Sequence, residues 1–493
     1  MELLLLIVLG VMTYLIVKRG VAHLTRTPVW ILWLVLMTPA LIWMAWGLFV
    51  GTETPIPLIL MFGPFAICPF LYLWLIQKGK RELPTDDQKS TPTAELTSTV
   101  QTPKPKAPKL RPITEEEEKL LRNCFPWGTY YLQNLDYHPQ AILCRGKLRS
   151  NPEVAYATIR ENIEQKFGDR FLVVFQEGLP NQPFFALVPN PRAKNKNRDV
   201  KEPLNRPGLA LALLFVTLFT TTVVGAEMTG LSVEQWQSNP NLLRQGLPYS
   251  LGLLAILGLH ELSHYFAAVR YKIRTTLPYF IPMPFLPGTL GAFIQMRSPV
   301  PNRKALFDVA IAGPLGGFIL TVPLLVWGLS LSETVPLSDE SGLFNFESLD
   351  PRFSFLMAVS SKIALGSQLS SNVGIHLHPL AIAGYLGLIV TALNLMPVGQ
   401  LDGGHIVHAM FGQRKAVAIG YIARLLVLLL GFMQQNFLIW ALFLFFIPVA
   451  DEPALNDITE LDDGRDFLGL LAIALLVIVL VPVPGTVAQW LNL

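Results

Sequence analysis

Residues 247–269 read LPYSLGLLAILGLHELSHYFAAV, and the fold turns on this stretch. Its only formally charged residue is Glu261. An apolar run of about 20 residues is long enough to cross a bilayer as a helix. Inside the run stand His260, Glu261 and His264, an H-E-x-x-H arrangement. Four residues apart on a helix, the two histidines share a face and can reach one metal ion. Glu261 projects beside them, where it can take a proton from an activated water. In a soluble helix the same letters can be an ordinary polar face. Within a spanning helix, ionisable groups are costly and mark function.

Other apolar segments lie on both sides, at residues 3–17, 28–50, 55–76, 207–226, 305–331, 379–396, 416–433, 436–450 and 467–490. The fold class predicted is a polytopic α-helical membrane protein, with about 8–10 spanning helices and a small α+β soluble insert. Composition agrees. Of 493 residues, 52% are hydrophobic and 15% charged, against roughly 25% charged in soluble proteins. That excludes a soluble enzyme, a fibrous protein and a mainly disordered chain. The charges are also segregated. Residues 78–206 hold 22 of the 38 Lys/Arg and 16 of the 35 Asp/Glu. Lys18 and Arg19 follow the first apolar segment instead of preceding it, so that segment reads as a retained anchor.

Basic residues gather on the cytoplasmic side of short loops. Lys18, Arg19 and Arg26, then Lys78, Lys80 and Arg81, then Arg270, Lys272 and Arg274, then Arg414 and Lys415 all fall on one side when the spans alternate. Residues 331–378, on the other side, are acidic. This topology puts the N-terminus outside and the insert in the cytoplasm or its organellar equivalent. The net charge of +3 gives no pointer to nucleic acid. Cys68, Cys124 and Cys144 are too few and too irregular for a disulfide framework and read as packed free thiols.

The insert begins after a Pro/Thr-rich linker at residues 78–110, whose composition cannot bury enough apolar surface to fold. Glu115–Glu118 opens a helix, acidic residues first. Residues 141–146 read as a strand, 151–167 as a helix with Asn151 as cap and Pro152 at its first position, and 171–176 and 184–188 as further strands. A basic linker, 191–206, follows. The insert carries no catalytic constellation and reads as a docking or regulatory domain.

A catalytic zinc usually has three protein ligands. The candidate third is Asp402, in Asn394-Leu-Met-Pro-Val-Gly-Gln-Leu-Asp402-Gly-Gly-His405, where Pro397, Gly399, Gly403 and Gly404 break a spanning helix. Broken backbone at membrane depth is tolerated only beside protein or a water-filled cavity. The alternative is a plain capping aspartate in a loop.

H-E-x-x-H followed by N-x-x-P-x-x-x-L-D-G resembles the site-2 protease family of intramembrane zinc metalloproteases, as does Gly313-Pro-Leu-Gly-Gly317 between the two motifs. The insert and the lack of a PDZ segment resemble the cyanobacterial and chloroplast branch. The resemblance implies one Zn2+ ligated by His260, His264 and Asp402, with Glu261 as general base and later acid. It places Asn394 near the catalytic centre, aiding substrate or oxyanion binding. It implies transmembrane protein substrates in a lipid environment, with protein docking on the insert. The absence of an Arg/Ser-rich start favours a bacterial inner membrane, or a cyanobacterial plasma or thylakoid membrane, over a plastid precursor.

On this reading the chain divides into a three-span region (1–77), the linker, a small α+β domain (111–190), the basic linker, a metalloprotease core (207–450) and a C-terminal loop with a final span (451–493). Residues 277–296, rich in Pro, Gly and aromatics, read as a re-entrant loop or hairpin beside the site. His405 and His408 read as supporting or structural groups, and His376 and His378 as loop residues on the far side. The rival functions are an inactive scaffold, a zinc transporter, or a membrane protease cutting exposed loops. An intact triad argues against the scaffold, and confinement of the ionisable cluster to one end argues against the transporter. Loop-cutting proteases typically take a glutamate on a later helix as third ligand, so the broken-helix Asp402 motif argues against that rival.

Overall fold

The computed structural model describes residues 27–49, 113–138, 141–178, 182–190, 206–285, 287–337, 345–370, 373–433 and 438–491, with scattered positions between 10 and 78. The chain divides into two compact units, Met1–Lys104 and Pro105–Leu493. In the first, helix α1 (Val29–Phe49) has 21 residues and no charge, with Pro39 inside it. The expected spans at 3–17 and 55–76 lie almost wholly outside the described residues, as do both linkers.

The second unit opens with the insert. Helix α2 (Glu115–Asn123) starts on a capping box: Thr114 Oγ1 accepts from the Glu117 amide, and the Glu117 carboxylate accepts from the Thr114 amide. Four glutamates in the first turn complement the helix dipole. Strands β1 (Tyr130–His138) and β2 (Ala141–Leu148) precede helix α3 (Pro152–Phe167), which Asn151 caps at the Glu153 amide with Pro152 first. Strands β3 (Phe171–Glu177) and β4 (Pro183–Pro189) complete an antiparallel sheet in the order β1-β2-β4-β3. Phe175 stacks on Phe185 at 4.1 Å, and Tyr130 meets Phe185 edge-on at 5.0 Å. The Tyr130 hydroxyl, fully buried, donates to the carbonyls of Cys144 and Pro183. Strand β1 is an addition to the sequence reading. Its register slips between Leu132 and Asn134, and a slip of one residue destroys the alternation that identifies a strand.

The remaining chain is mainly helical: α4 (Pro207–Glu227), α5 (Val233–Ser238), α6 (Leu247–Arg270), α7 (Arg303–Ser330), α8 (Phe355–Leu365), α9 (Pro379–Leu395), α10 (Asp402–Phe411), α11 (Gln413–Met433), α12 (Leu438–Phe446), α13 (Asp463–Leu480) and α14 (Gly485–Leu491). Two short two-stranded antiparallel sheets join them: the hairpin of β5 (Tyr279–Pro282) and β6 (Thr289–Phe293), and the pair β7 (Glu333–Pro336) and β8 (Val373–His376), which meet across the segment that carries α8. Among the described residues, four helical stretches are long and apolar enough to cross a membrane: Val29–Trp46, Pro207–Glu227, Pro240–Arg270 and Arg303–Ser330. Helix Pro379–Leu395 is apolar but shorter. Phe215, Ile319, Trp327, Leu425 and Leu470 stand exposed on α4, α7, α11 and α13. Apolar surface on this scale faces lipid, not water, and the protein is an integral membrane protein.

Three expectations change. The last span, expected over 467–490, stops at Leu480, because Pro482 and Pro484 interrupt it before α14. Of the segment expected over 436–450, the described residues are helical at Leu438–Phe446. The acidic loop 331–378 contains α8, whose Met357, Ala358 and Leu365 join the main core. That core, centred on α6, α7 and α9, includes Leu253, Leu257, Phe307, Ala310, Leu325 and Leu388.

Candidate metal centre

Helix α6 carries His260, Glu261 and His264, all buried, with His260 and His264 against Gly317 and Gly313 of α7. Helix α9 ends at Leu395, one residue after Asn394, and the chain turns through Pro397–Leu401 before α10 begins at Asp402. The turn requires glycine at 399, where φ is +51° and an added Cβ would strike the Pro448 carbonyl. It delivers Asp402 to the two histidines.

Asp402 Oδ2 lies 3.4 Å from His260 Nε2 and 3.3 Å from His264 Nε2, and the two ring nitrogens are 3.1 Å apart. Among the described residues this is the group of His, Cys, Asp or Glu able to hold a metal. The donor set fits zinc. Ligand atoms at ~2.0–2.1 Å from a tetrahedral centre lie roughly 3.3–3.4 Å apart, and three ligands leave the fourth position open. The tautomer fits as well. His264 Nδ1 is 2.7 Å from the Val309 carbonyl, so that nitrogen carries the proton and Nε2 presents its lone pair.

A cavity of about 270 Å³ opens on the cluster and is lined also by Glu261, Asn394, Gln400 and Leu401. Asn394 Nδ2 stands 3.3 Å from His260 Nε2. The structure therefore brings His260, Glu261, His264, Asn394 and Asp402 to one cavity. The segment 277–296 is a hairpin, with Tyr279 paired to Phe293 and Phe280 to Ala292, and residues 292–294 line the cavity. The reason for the glycine motif emerges only here. An added Cβ at Gly313 would sit 2.0 Å from His264 Nε2, and one at Gly316 would sit 2.1 Å from Ser263 Oγ. The motif keeps α7 clear of the ligand ring.

His405 and His408 do not join the metal cluster. His405 Nδ1 and His408 Nδ1 both meet Asp451 Oδ2, at 2.8 and 2.7 Å, and His408 Nε2 meets Asp457 Oδ1 at 3.0 Å. Burial alone would raise the Asp451 carboxyl, but the hydrogen bonds from His405 and His408 pull it down to about 2. Asp451 and Asp457 were not anticipated; their only signal was two carboxylates closely following an apolar segment. His378 caps α9, accepting from the Leu380 amide. The three cysteines are free and buried.

A second cavity, about 1070 Å³, lies between the insert and the helical part. Arg160, Leu172 and Asn190 line it from the insert, and Lys272, Gln400 and His405 from the other side. Gln400 and His405 border both cavities, so this chamber adjoins the cluster.

A family model described as Peptidase family M50 matches residues 248–433, and one described as EGY3 middle domain matches 119–196, within the insert and its following linker. The probable zinc metalloprotease EGY2, chloroplastic, of Arabidopsis thaliana is 31% identical over 377 residues, covering 76% of this chain and 66% of that protein. The probable zinc metalloprotease EGY1, chloroplastic, of the same plant is 30% identical over 378 residues, covering 71% of this chain and 67% of that protein. The probable zinc metallopeptidase EGY3, chloroplastic, also of Arabidopsis thaliana, is 28% identical over 386 residues, covering 73% and 66%. The chain spans 64–66% of the length of the EGY2 relatives it matches. With the H-E-x-x-H helix, the aspartate after the broken helix and these relatives together, the chain belongs to the site-2 protease family, M50, in the branch of the chloroplastic EGY zinc metalloproteases.

Proposed function

We propose that this protein is an intramembrane zinc metalloprotease that hydrolyses peptide bonds within transmembrane segments of other membrane proteins, in regulated proteolysis or membrane quality control. The observation that carries this reading is the convergence of His260, His264 and Asp402 with Glu261 in one buried cavity. The relatives' printed names support it. His260, His264 and Asp402 would hold the zinc, which would serve as a Lewis acid that polarises a carbonyl and acidifies water.

The chain's own residues do the rest. Glu261 accepts the proton of the attacking water and returns it to the departing nitrogen. The Asn394 amide donates to the oxygen on which charge develops. A helical substrate keeps its peptide groups tied internally, so it must unwind to react. The segment 292–294 at the cavity wall offers an extended backbone against which an unwound substrate pairs. The chamber beneath the insert brings water to a site within the membrane. Arg270, Lys272 and Arg274, directly after α6, support a cytoplasmic or organellar-equivalent location for this end and for the insert.

The test compares purified wild type with Glu261→Gln for bound zinc and for cleavage of single-span model substrates. Zinc in both, with cleavage by the wild type alone, is the expected result. Equal cleavage by both proteins, or no metal in either, would overturn the proposal.

A further inference from the structure

The insert and the metal ligands are joined by one stretch of backbone, residues 451–459. At its centre, the Phe175 amide of β3 donates to the Leu455 carbonyl at 2.7 Å, and the Asp457 amide donates to the Phe175 carbonyl at 2.9 Å. This stretch therefore extends the insert's sheet beyond its edge strand, in parallel. From its other side, the Leu455 amide donates to the Val300 carbonyl and the Asn456 amide to the Pro301 carbonyl, just before α7. Leu455 and Ile458 pack on the insert's apolar core.

The same strap holds α10. His408 is fully buried, with one ring nitrogen on Asp451 and the other on Asp457. Both nitrogens face carboxylates, so both carry protons and the ring is an imidazolium. His405 makes a further bond to Asp451. Buried Arg303, from the start of α7, donates to the Ala409 carbonyl at 2.7 Å. Asp402 is the first residue of this ten-residue helix. His408 stands six positions further along the helix, a rise of about 9 Å.

We propose that His408 is a positioning residue for Asp402, and that the docked insert, through residues 455–457, supplies part of the hold on the metal site. The inference rests on the ligand set of the proposed function and extends it to a role for the insert. A helix pinned at residues 405, 408 and 409 presents its first carboxylate at a fixed point. Release of the strap from β3 frees Asp457, loosens one side of His408 and lets Asp402 drift from the two histidines.

The test uses full-length protein in detergent, stripped of metal and reloaded with Co2+, whose visible absorption reports ligand geometry. Leu455→Asp/Ile458→Asp removes the strap's apolar anchors in the insert and touches no residue of the site. Asp457→Asn keeps the shape and removes one charge. Metal affinity by chelator competition is expected to fall roughly 10–100-fold in the double variant, the range for groups that orient metal ligands. The cobalt bands shift, and amide exchange across residues 402–411 speeds up. Asp457→Asn moves all three in the same direction by less. Unchanged bands and affinity in both variants would overturn the inference. Retention of the metal by Asp402→Ala would instead refute the ligand set on which the protease reading stands.

Discussion

Two histidine clusters meet at helix α10, whose Asp402 belongs to one and whose His405 and His408 belong to the other, and they are built on opposite plans. In one, His260, His264 and Asp402 point three acceptor atoms at a common centre, 3.1–3.4 Å apart, with the proton of His264 turned away to Val309. In the other, each ring nitrogen bonded in the cluster meets a carboxylate of Asp451 or Asp457. The first arrangement is electrostatically incomplete without a cation. The second is complete within the chain. Residue types do not distinguish them; the direction of the protons does.

The comparison breaks most sharply at Gly313. Gly313→Ala would place a methyl against His264 Nε2, and metal affinity is expected to drop by at least roughly 10–100-fold. Cleavage falls with it, although alanine favours a helix over glycine by up to ~1 kcal/mol. Zinc content beside a thermal melt checks this. Lost metal in a protein that still melts cooperatively, at a temperature no higher than that of the metal-loaded wild type, is the expected result, and retained metal would remove the spacing argument.

A smaller effect is expected in the insert. Thr114→Ala removes the capping box of α2 and costs about 1 kcal/mol of local stability. Faster amide exchange in residues 115–123, with the cobalt bands unmoved, would show that the insert can be weakened without disturbing the strap. The smallest effect concerns its thiols. Burial raises both Cys124 and Cys144, with Lys166 opposing at Cys124. The reactive thiolate is therefore scarce at pH 8. Iodoacetamide is expected to leave both unmodified until denaturant is added, as peptide mass mapping would read.

The metal cluster was legible because its letters are expensive where they stand. His260, Glu261, His264, Asn394 and Asp402 occupy otherwise apolar helices or their broken end, and polar groups there need a reason. The insert's α2 and α3 were legible from their first turns, since the run of glutamates, Asn151 and Pro152 are local signals. Strand β1 was not, because its bulge removes the alternation. Asp451, Asp457 and the strap were not, because Phe175, Val300 and Leu455 meet across long stretches of chain that carry no shared local pattern. Gly313 showed itself as part of a motif, but its purpose depends on the packing of α7 on α6.

The parallel pairing at Phe175 also sets an order of events during synthesis. Strand β3 is complete about 280 residues before Leu455 exists. At roughly 5–20 residues per second, its outer edge waits some 15–55 s for its partner. The insert therefore folds with one sheet edge bare, the condition under which strands recruit foreign chains. The last stretch to arrive closes that edge and seats α10 in the same act, so a nascent chain has no finished metal site before translation has passed residue 457.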